Sequence, residues 1–198
     1  DYSPMSYTEP QLIQASLHGD PHAFTQLYEA YATRIYQYHY YRTFHKETAE
    51  DLTSQTFMRA LERLRSYDEQ KGMFSAWLYR IARNLLIDHV RATRPNVDAE
   101  DAWDMLRDPH SSSIALEQQD LLRRIETSLH LLRPEQREIL ILRLWDERSY
   151  EEIANILQKS EAACKMSVSR ALAALREQAP LAFLVLTLSF PAYALHSS

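Results

Sequence analysis

The sequence predicts an all-α protein of two small helical units joined by an acidic linker. Three observations lead there. The 198 residues include only two glycines, too few for sheets built on tight hairpins or for a glycine-rich phosphate loop. Ala, Leu, Glu, Arg and Gln, all strong helix formers, are plentiful. Apolar residues recur at helical spacing on both sides of a stretch where that spacing fades, from Thr93 to Ser113.

The first run of helices is expected from Pro21 to about Arg94. Asp20 before Pro21 is an N-cap followed by a proline at the first helical position. Phe24, Leu27/Tyr28, Tyr31, Ile35 and Tyr38 then mark one face of a helix over 23–41, its tyrosines read as core and rim packing. A second helix is expected over 46–65, with Ala49, Leu52, Phe57, Ala60/Leu61 and Leu64 as its apolar set. The polar cluster over 66–73, containing Gly72, breaks the pattern and reads as a loop.

The next helix, over 74–91, has two unlike faces. Phe74, Trp77/Leu78, Ile81 and Leu85 form an apolar stripe, while Arg80, Arg83, Asn84 and Arg91 lie largely away from it, with Asp88 among them. Arginine and asparagine hold phosphates and read base edges. A solvated outer face is the plainer reading of such charges, and only the rest of the chain decides between the two. Trp77 and Tyr79 can stack on exposed bases, yet Trp77 lies on the apolar stripe and reads equally well as core.

Arg94-Pro95-Asn96, and Asp108-Pro109-His110 with three serines after it, are linker chemistry and set the domain boundary. Helices resume over 114–132. Pro134 opens another over 135–145, with Ile139/Leu140, Leu142 and Leu144 apolar. Ser149-Tyr-Glu-Glu152 is a capping box that starts a short helix through Leu157. A tight connection at 158–160 then leads into a long helix over 161–177, N-capped by Ser160. Short helix, turn and second helix form a helix-turn-helix layout. The segments are thus 20–94, the linker 95–113, 114–178, and a nearly uncharged tail, 179–198. The tail's apolar run is too short before Pro191 to span a bilayer and reads as a segment packed on its own domain or on a partner.

The net charge of −5 argues against nucleic acid until its distribution is seen. Residues 96–117 hold six acids and one base; residues 58–94 hold eight bases and four acids, and residues 159–176 four bases and one acid. Two basic modules flank an acidic connector. The single Cys164 excludes a disulfide framework and suits a reducing compartment. His18 and His22 are four apart but have Gly19 and Pro21 between them, which spoils helical ligand geometry, and His39 and His45 have no carboxylate in ligand register; all four read as structural. The opening residues, Asp1-Tyr-Ser-Pro-Met, have neither the basic nor the apolar region of a signal peptide. No nucleophile–base pair, nucleotide loop or metal cluster stands out, so neither an enzyme nor a cofactor or metal is expected.

With these segments in order, the chain resembles the extracytoplasmic-function class of bacterial sigma-70-family factors. The resemblance rests on Ala49-Glu50-Asp51-Leu52-Thr53-Ser54-Gln55-Thr56-Phe57-Met58-Arg59-Ala60, on 77–88, and on Leu132-Arg133-Pro134-Glu135-Gln136-Arg137-Glu138 with Ser149-Tyr150-Glu151-Glu152-Ile153-Ala154. It implies that Glu50, Asp51, Gln55 and Arg59 dock on the clamp helices of the RNA polymerase β′ subunit. The 66–73 loop, with Tyr67 and Lys71, and the helix bearing Trp77, Arg80, Arg83, Asn84 and Arg91 would capture unstacked bases of the −10 element. Arg137, Ser149, Ser160, Glu161, Lys165, Ser169 and Arg170 would meet the −35 element, the last helix lying in its major groove.

The implied partners are core polymerase, through its β′ clamp and β flap, promoter DNA, and an anti-sigma factor. No small-molecule substrate is implied, the location is cytoplasmic, and any membrane link runs through the anti-sigma factor. The acidic linker would thread toward the polymerase cleft, imitating nucleic-acid charge. Ala162-Ala163-Cys164 departs from the polar residues common in the family's recognition helix. Two other readings stay open at this stage: a stand-alone helix-turn-helix regulator, which leaves 23–94 unexplained, and a helical anti-sigma or adaptor protein.

Overall fold

The computed structural model describes residues 7–93 and 127–180, and every regular element among them is helical. The acidic linker, most of the helix expected over 114–132 and nearly all of the apolar tail lie outside the described residues.

Helix α1, Glu9–Leu17, is an addition to the elements expected from the sequence. The backbone N–H of Thr8 donates to the Gln11 side chain (2.8 Å), and Leu12, Ile13 and Ser16 are buried. The Tyr31 hydroxyl donates to Glu9 and ties α1 to the next helix. Gly19, at φ 89°, takes the chain through a turn that L-residues disfavour. Asp20 then caps α2, Pro21–Thr43, accepting from the His22 N–H at 2.9 Å. Its buried face is Ala23, Leu27, Tyr31, Ile35, Tyr38, His39 and Arg42. Tyr28 instead points outward, 44 % exposed, with its ring edge-on to Phe57.

Helix α3, Lys46–Arg63, returns along α2 and buries Ala49, Leu52, Thr53, Thr56, Phe57 and Ala60. Leu61, expected beside Ala60 in the core, faces solvent at 54 % exposure. Two 3-10 turns, Leu64–Ser66 and Glu69–Lys71, lead through Gly72 (φ 144°) into α4, Phe74–Thr93. Phe74, Leu78, Ile81, Ala82, Leu86 and Val90 are buried there, while Trp77 and Leu85 are only half-buried.

After the helical turn at 127–130, α5, Pro134–Leu140, runs on into a π-helical turn, Ile141–Trp145. The residues from Ile139 to Leu142 are all buried, so this stretch is apolar all round. Ser149 caps α6, Tyr150–Leu157, in the expected reciprocal box: its Oγ accepts from Glu152 N–H (3.1 Å) and its own N–H donates to the Glu152 carboxylate (2.9 Å). Gln158, in the left-handed region at φ 55°, makes the turn into α7, Glu161–Gln178. Helices α5, α6 and α7 pack together, and α6 also packs on α4 while the π turn meets α2.

Arg137 is a correction to the sequence reading. It is fully buried, its Nε donating to the Leu129 carbonyl (2.9 Å) and its Nη2 to that of Leu132 (3.5 Å). Those carbonyls belong to the end of the preceding helical turn, where acceptors lack intrahelical partners. The guanidinium is therefore an internal tie, withdrawn from any DNA surface. Replacing it in Arg137→Met should cost about 1–3 kcal/mol per stranded carbonyl, read as a lowered urea midpoint.

His39 supplies a second prediction. It is fully buried against Thr56 (Nε2 to Oγ1, 3.1 Å). Burial, helped by the charges of Arg42 and His89, pushes its pKa from 6.5 down to about 3. The unfolded imidazole binds a proton below pH 6.5, and the folded one does not until about pH 3. Stability should thus be full above pH 6.5 and fall by up to about 1.4 kcal/mol per pH unit between those values. Urea unfolding at a series of pH values should show this slope, and His39→Gln should flatten it.

Candidate polymerase and nucleic-acid interfaces

Three surfaces carry the residues singled out from the sequence. On α3 the outward face presents Glu50, Asp51, Gln55 and Arg59, all exposed. Glu50 pairs loosely with Lys46 (3.8 Å) and Arg59 with Glu62 (3.5 Å), both solvent-facing pairs of little net strength. Met58, 65 % exposed, and Leu61 stand beside them. An amphipathic face with two bare apolar side chains among charges is the composition of a docking surface. The sequence reading assigned Leu61 to the core; the one signal that could have turned it outward was register, since Ala60 is in step with Thr53, Thr56 and Phe57, whereas Leu61 is in step with Phe57 alone.

The loop before α4 is held by its own side chains. Asp68 accepts from the Gln70 N–H (3.1 Å) and pairs with Lys71 (3.0 Å); the hydrogen bond from Lys71 holds its carboxyl below the usual range. The Tyr67 hydroxyl donates to the Gly72 carbonyl at 3.2 Å. Its ring meets Phe74 (5.5 Å) and Trp77 (5.6 Å), so the three aromatics form one cluster. Tyr67 and Trp77 are half-buried, with part of each ring left at the surface. Tyr79 is fully buried, which removes it as a stacking platform.

Along α4, Arg80 is half-buried, and Asn84, Asp88 and Arg91 are exposed. Positions 80, 84, 88 and 91 follow helical spacing and make one ridge. Arg83 is on a different edge. Its Nε is bound to the carboxylate of Glu138 on α5 at 3.2 Å. The structure therefore separates Arg83 from the ridge that the sequence grouped it with.

On α7 the Ser160 hydroxyl accepts from the Ala163 N–H (3.2 Å) and starts the helix. Glu161, Ala162, Ala163, Lys165, Met166, Ser169 and Arg170 are exposed along it. Lys165 pairs with Glu161 (3.6 Å) and sits 5.5 Å from the centre of the Tyr150 ring. Cys164 is buried on the opposite side, its thiol pKa pushed up by that burial. Ser149 is occupied as the cap of α6. Lys159 is paired with Glu135, bracing the turn against α5.

A fourth feature was invisible in the sequence. Between α2/α4 and the C-terminal helices runs a seam of polar contacts. The Glu138 carboxylate accepts from Tyr38 (2.7 Å) and Arg83, and Arg42 Nη1 donates to the Pro134 carbonyl (2.7 Å). Ser75 donates to Glu152 (3.2 Å), which Arg148 also binds (2.9 Å). Arg148 reaches Asp146 (2.8 Å) and lies 5.1 Å from the Tyr79 ring centre. Burial and the nearby Glu138 charge drive the Tyr38 hydroxyl well above its ordinary pKa. Burial works against ionised Glu152 as well, but the Ser149 N–H and Arg148 outweigh it and hold that carboxyl below its usual range.

Among the described residues no group of three or more His, Cys, Asp or Glu is placed to hold a metal, and no helix is long and apolar enough to cross a membrane.

Comparison with known proteins matches this architecture in two blocks. Residues 27–95 match the family model Sigma-70 region 2, and residues 122–175 match Sigma-70, region 4. The chain is 36 % identical over 176 residues to the ECF RNA polymerase sigma factor BldN of Streptomyces coelicolor, covering 86 % of this chain and 65 % of that protein. It is 33 % identical over 173 residues to the ECF RNA polymerase sigma factor SigW of Bacillus subtilis, covering 81 % of this chain and 90 % of that one. The sigma factor RpoE from Bartonella quintana, solved in complex with the anti-sigma factor NepR, superposes with a TM-score of 0.63 at 25 % identity, over 80 % of this chain and 97 % of that one. The chain belongs to the sigma-70 family of RNA polymerase sigma factors, in its extracytoplasmic-function class.

Proposed function

We propose that this chain gives core RNA polymerase its promoter specificity and helps melt the DNA, with its three exposed surfaces dividing the work. The outer face of α3, Glu50, Asp51, Gln55 and Arg59 with Met58 and Leu61, docks on the β′ clamp. The α4 ridge of Arg80, Asn84 and Arg91, with Lys71 and the exposed edges of Tyr67 and Trp77, captures unstacked −10 bases. Flipping a base costs a few kcal/mol, which stacking and cationic contacts offset. Helix α7 enters the −35 major groove, Ser160 and Glu161 at its tip and Lys165, Ser169 and Arg170 along it, while the β flap receives the same C-terminal unit. The observation that carries this reading is the exposure of Asn84 and Arg91 on one ridge of α4, two turns apart, on a helix whose opposite flanks are buried. Docking within holoenzyme also suits a chain with modest local charge, because polymerase supplies much of the phosphate contact.

Because RpoE was crystallised with NepR, an anti-sigma partner is proposed here too. The site of action is wherever polymerase is, the bacterial cytoplasm, and the membrane enters only through such a partner. The deciding experiment is run-off transcription by core polymerase on a promoter library, with and without the chain. Promoter-specific transcripts should appear only with it. Duplex binding without polymerase, or polymerase binding with no transcripts, would instead mark a stand-alone regulator or an adaptor.

Two predictions separate the surfaces. Asn84→Ala should slow open-complex formation by a factor matching about 1–3 kcal/mol while leaving core affinity intact, as read by permanganate footprinting beside a binding titration. Met58→Asp should do the reverse, weakening core binding by about 1–3 kcal/mol, with promoter melting normal once the chain is supplied in excess.

A further inference from the structure

We infer that α7 recognises its DNA through thymine methyl groups, by means of an outermost apolar stripe of Ala162, Met166 and Ala173 with Ser169 among them. The inference deepens, and rests on, the reading of α7 as the helix that enters the −35 major groove. It starts from helical register. Cys164, Val168, Ala171 and Leu175 are the buried side of α7. At about 100° per residue, the line opposite them is 162, 166, 169 and 173. All four residues on that line are exposed, Met166 at 53 %.

Side chains on this line point straight away from the domain, and so toward the floor of any groove that α7 enters. None of them is arginine, lysine, asparagine or glutamine, the long polar side chains that grip a base edge with two hydrogen bonds. Ser169 brings one short hydroxyl, which suits several bases. The other three are apolar. A major groove presents one apolar mark among its donors and acceptors, the C5-methyl of thymine, and small apolar side chains are what contact it. Alanine at 162 and 173 also lets the helix backbone approach closely, which a contact as short as methyl to methyl requires.

The cations stand to either side of the stripe. By the same register Lys165 and Arg176 fall on one flank and Arg170 on the other, all three exposed. Lys165 is turned aside toward Glu161 (3.6 Å) and the Tyr150 ring (5.5 Å). Positive margins around an apolar midline match the cross-section of a major groove, with phosphates along both walls and base edges between them. A protein partner fits less well. Met166 is the single large side chain on the stripe, and protein interfaces take their energy from clusters of large, mostly aromatic anchors.

Run-off transcription by holoenzyme formed with the full chain tests this. The promoter library is randomised over the −35 window and made with either thymine or deoxyuridine there; deoxyuridine pairs as thymine does and lacks only the methyl. Templates selected by the parent holoenzyme should be enriched in thymine. They should lose about three- to fivefold in yield per methyl removed, the ratio for uncovering one buried carbon group. Met166→Ala should abolish that loss at the thymine Met166 covers, and Met166→Gln should exchange that thymine for adenine. Met166 is exposed and both replacements are good helix formers, so the fold is kept. A holoenzyme indifferent to deoxyuridine overturns the inference. So does a deoxyuridine effect that both Met166 variants leave intact, which would trace it to DNA shape. In both failures promoter-specific transcripts are still made. Their absence with the parent chain sinks the polymerase reading itself, and the methyl reading with it.

Discussion

Helix α4 is enclosed on both sides, and the rest of the molecule is arranged around that fact. Phe74, Leu78, Ile81, Ala82, Leu86 and Val90 are buried along it, with Ser75, Ala76 and Tyr79 buried as well. Contacts to α2 and α3 cover one flank and α6 another. What remains exposed is a narrow ridge containing Asn84, Asp88 and Arg91. The fixed position of that ridge is a product of burial: a helix packed on two flanks has no freedom to rotate, and its polar face is held to within a fraction of a turn. Rigid elements of this kind place a binding side chain more accurately than loops do.

Polar groups inside this protein serve different ends in different places. Arg137 closes off carbonyls at a helix terminus, within its own unit, and belongs to a permanent core. His39 is buried neutral against Thr56 and ties α2 to α3. Glu138, one residue after Arg137, faces the opposite unit and binds Tyr38 and Arg83 across it. Adjacent residues on one short helix thus point into a core and into an interdomain seam. The pattern follows from the 100° step of the helix; no residue-level rule of composition distinguishes them.

Much of the candidate site was legible. The i, i+3/i+4 register gave α2, α3 and α4, the capping box at Ser149 gave α6, and Ser160 gave the start of α7. The two-faced character of α4 was readable from Arg80, Asn84 and Arg91 against Phe74, Leu78 and Ile81. Three things were not. Helix α1 lacks a strong apolar stripe, with Leu12 and Ile13 as its buried large side chains, and its place depends on Tyr31 reaching Glu9 across a turn. Leu61 was read as core because leucine is apolar, although Ala60 fills that position. Arg137 and Arg83 were grouped with DNA-facing cations because charge type says nothing about which partner a long side chain finds.

The sequence by itself determined the helices from α2 onward, their caps, the two-unit plan and the family, since each depends on local spacing or on residues close together in the chain. Tertiary structure alone decided which polar side chains stay available. Asn84 and Arg91 remain exposed and Arg80 half-exposed, whereas Arg83 is bound by Glu138, 55 positions away, and Arg137, on α5, is turned into the core. That choice is made by contacts between residues far apart in sequence. Their energies depend on how two packed units meet, a quantity no local pattern encodes.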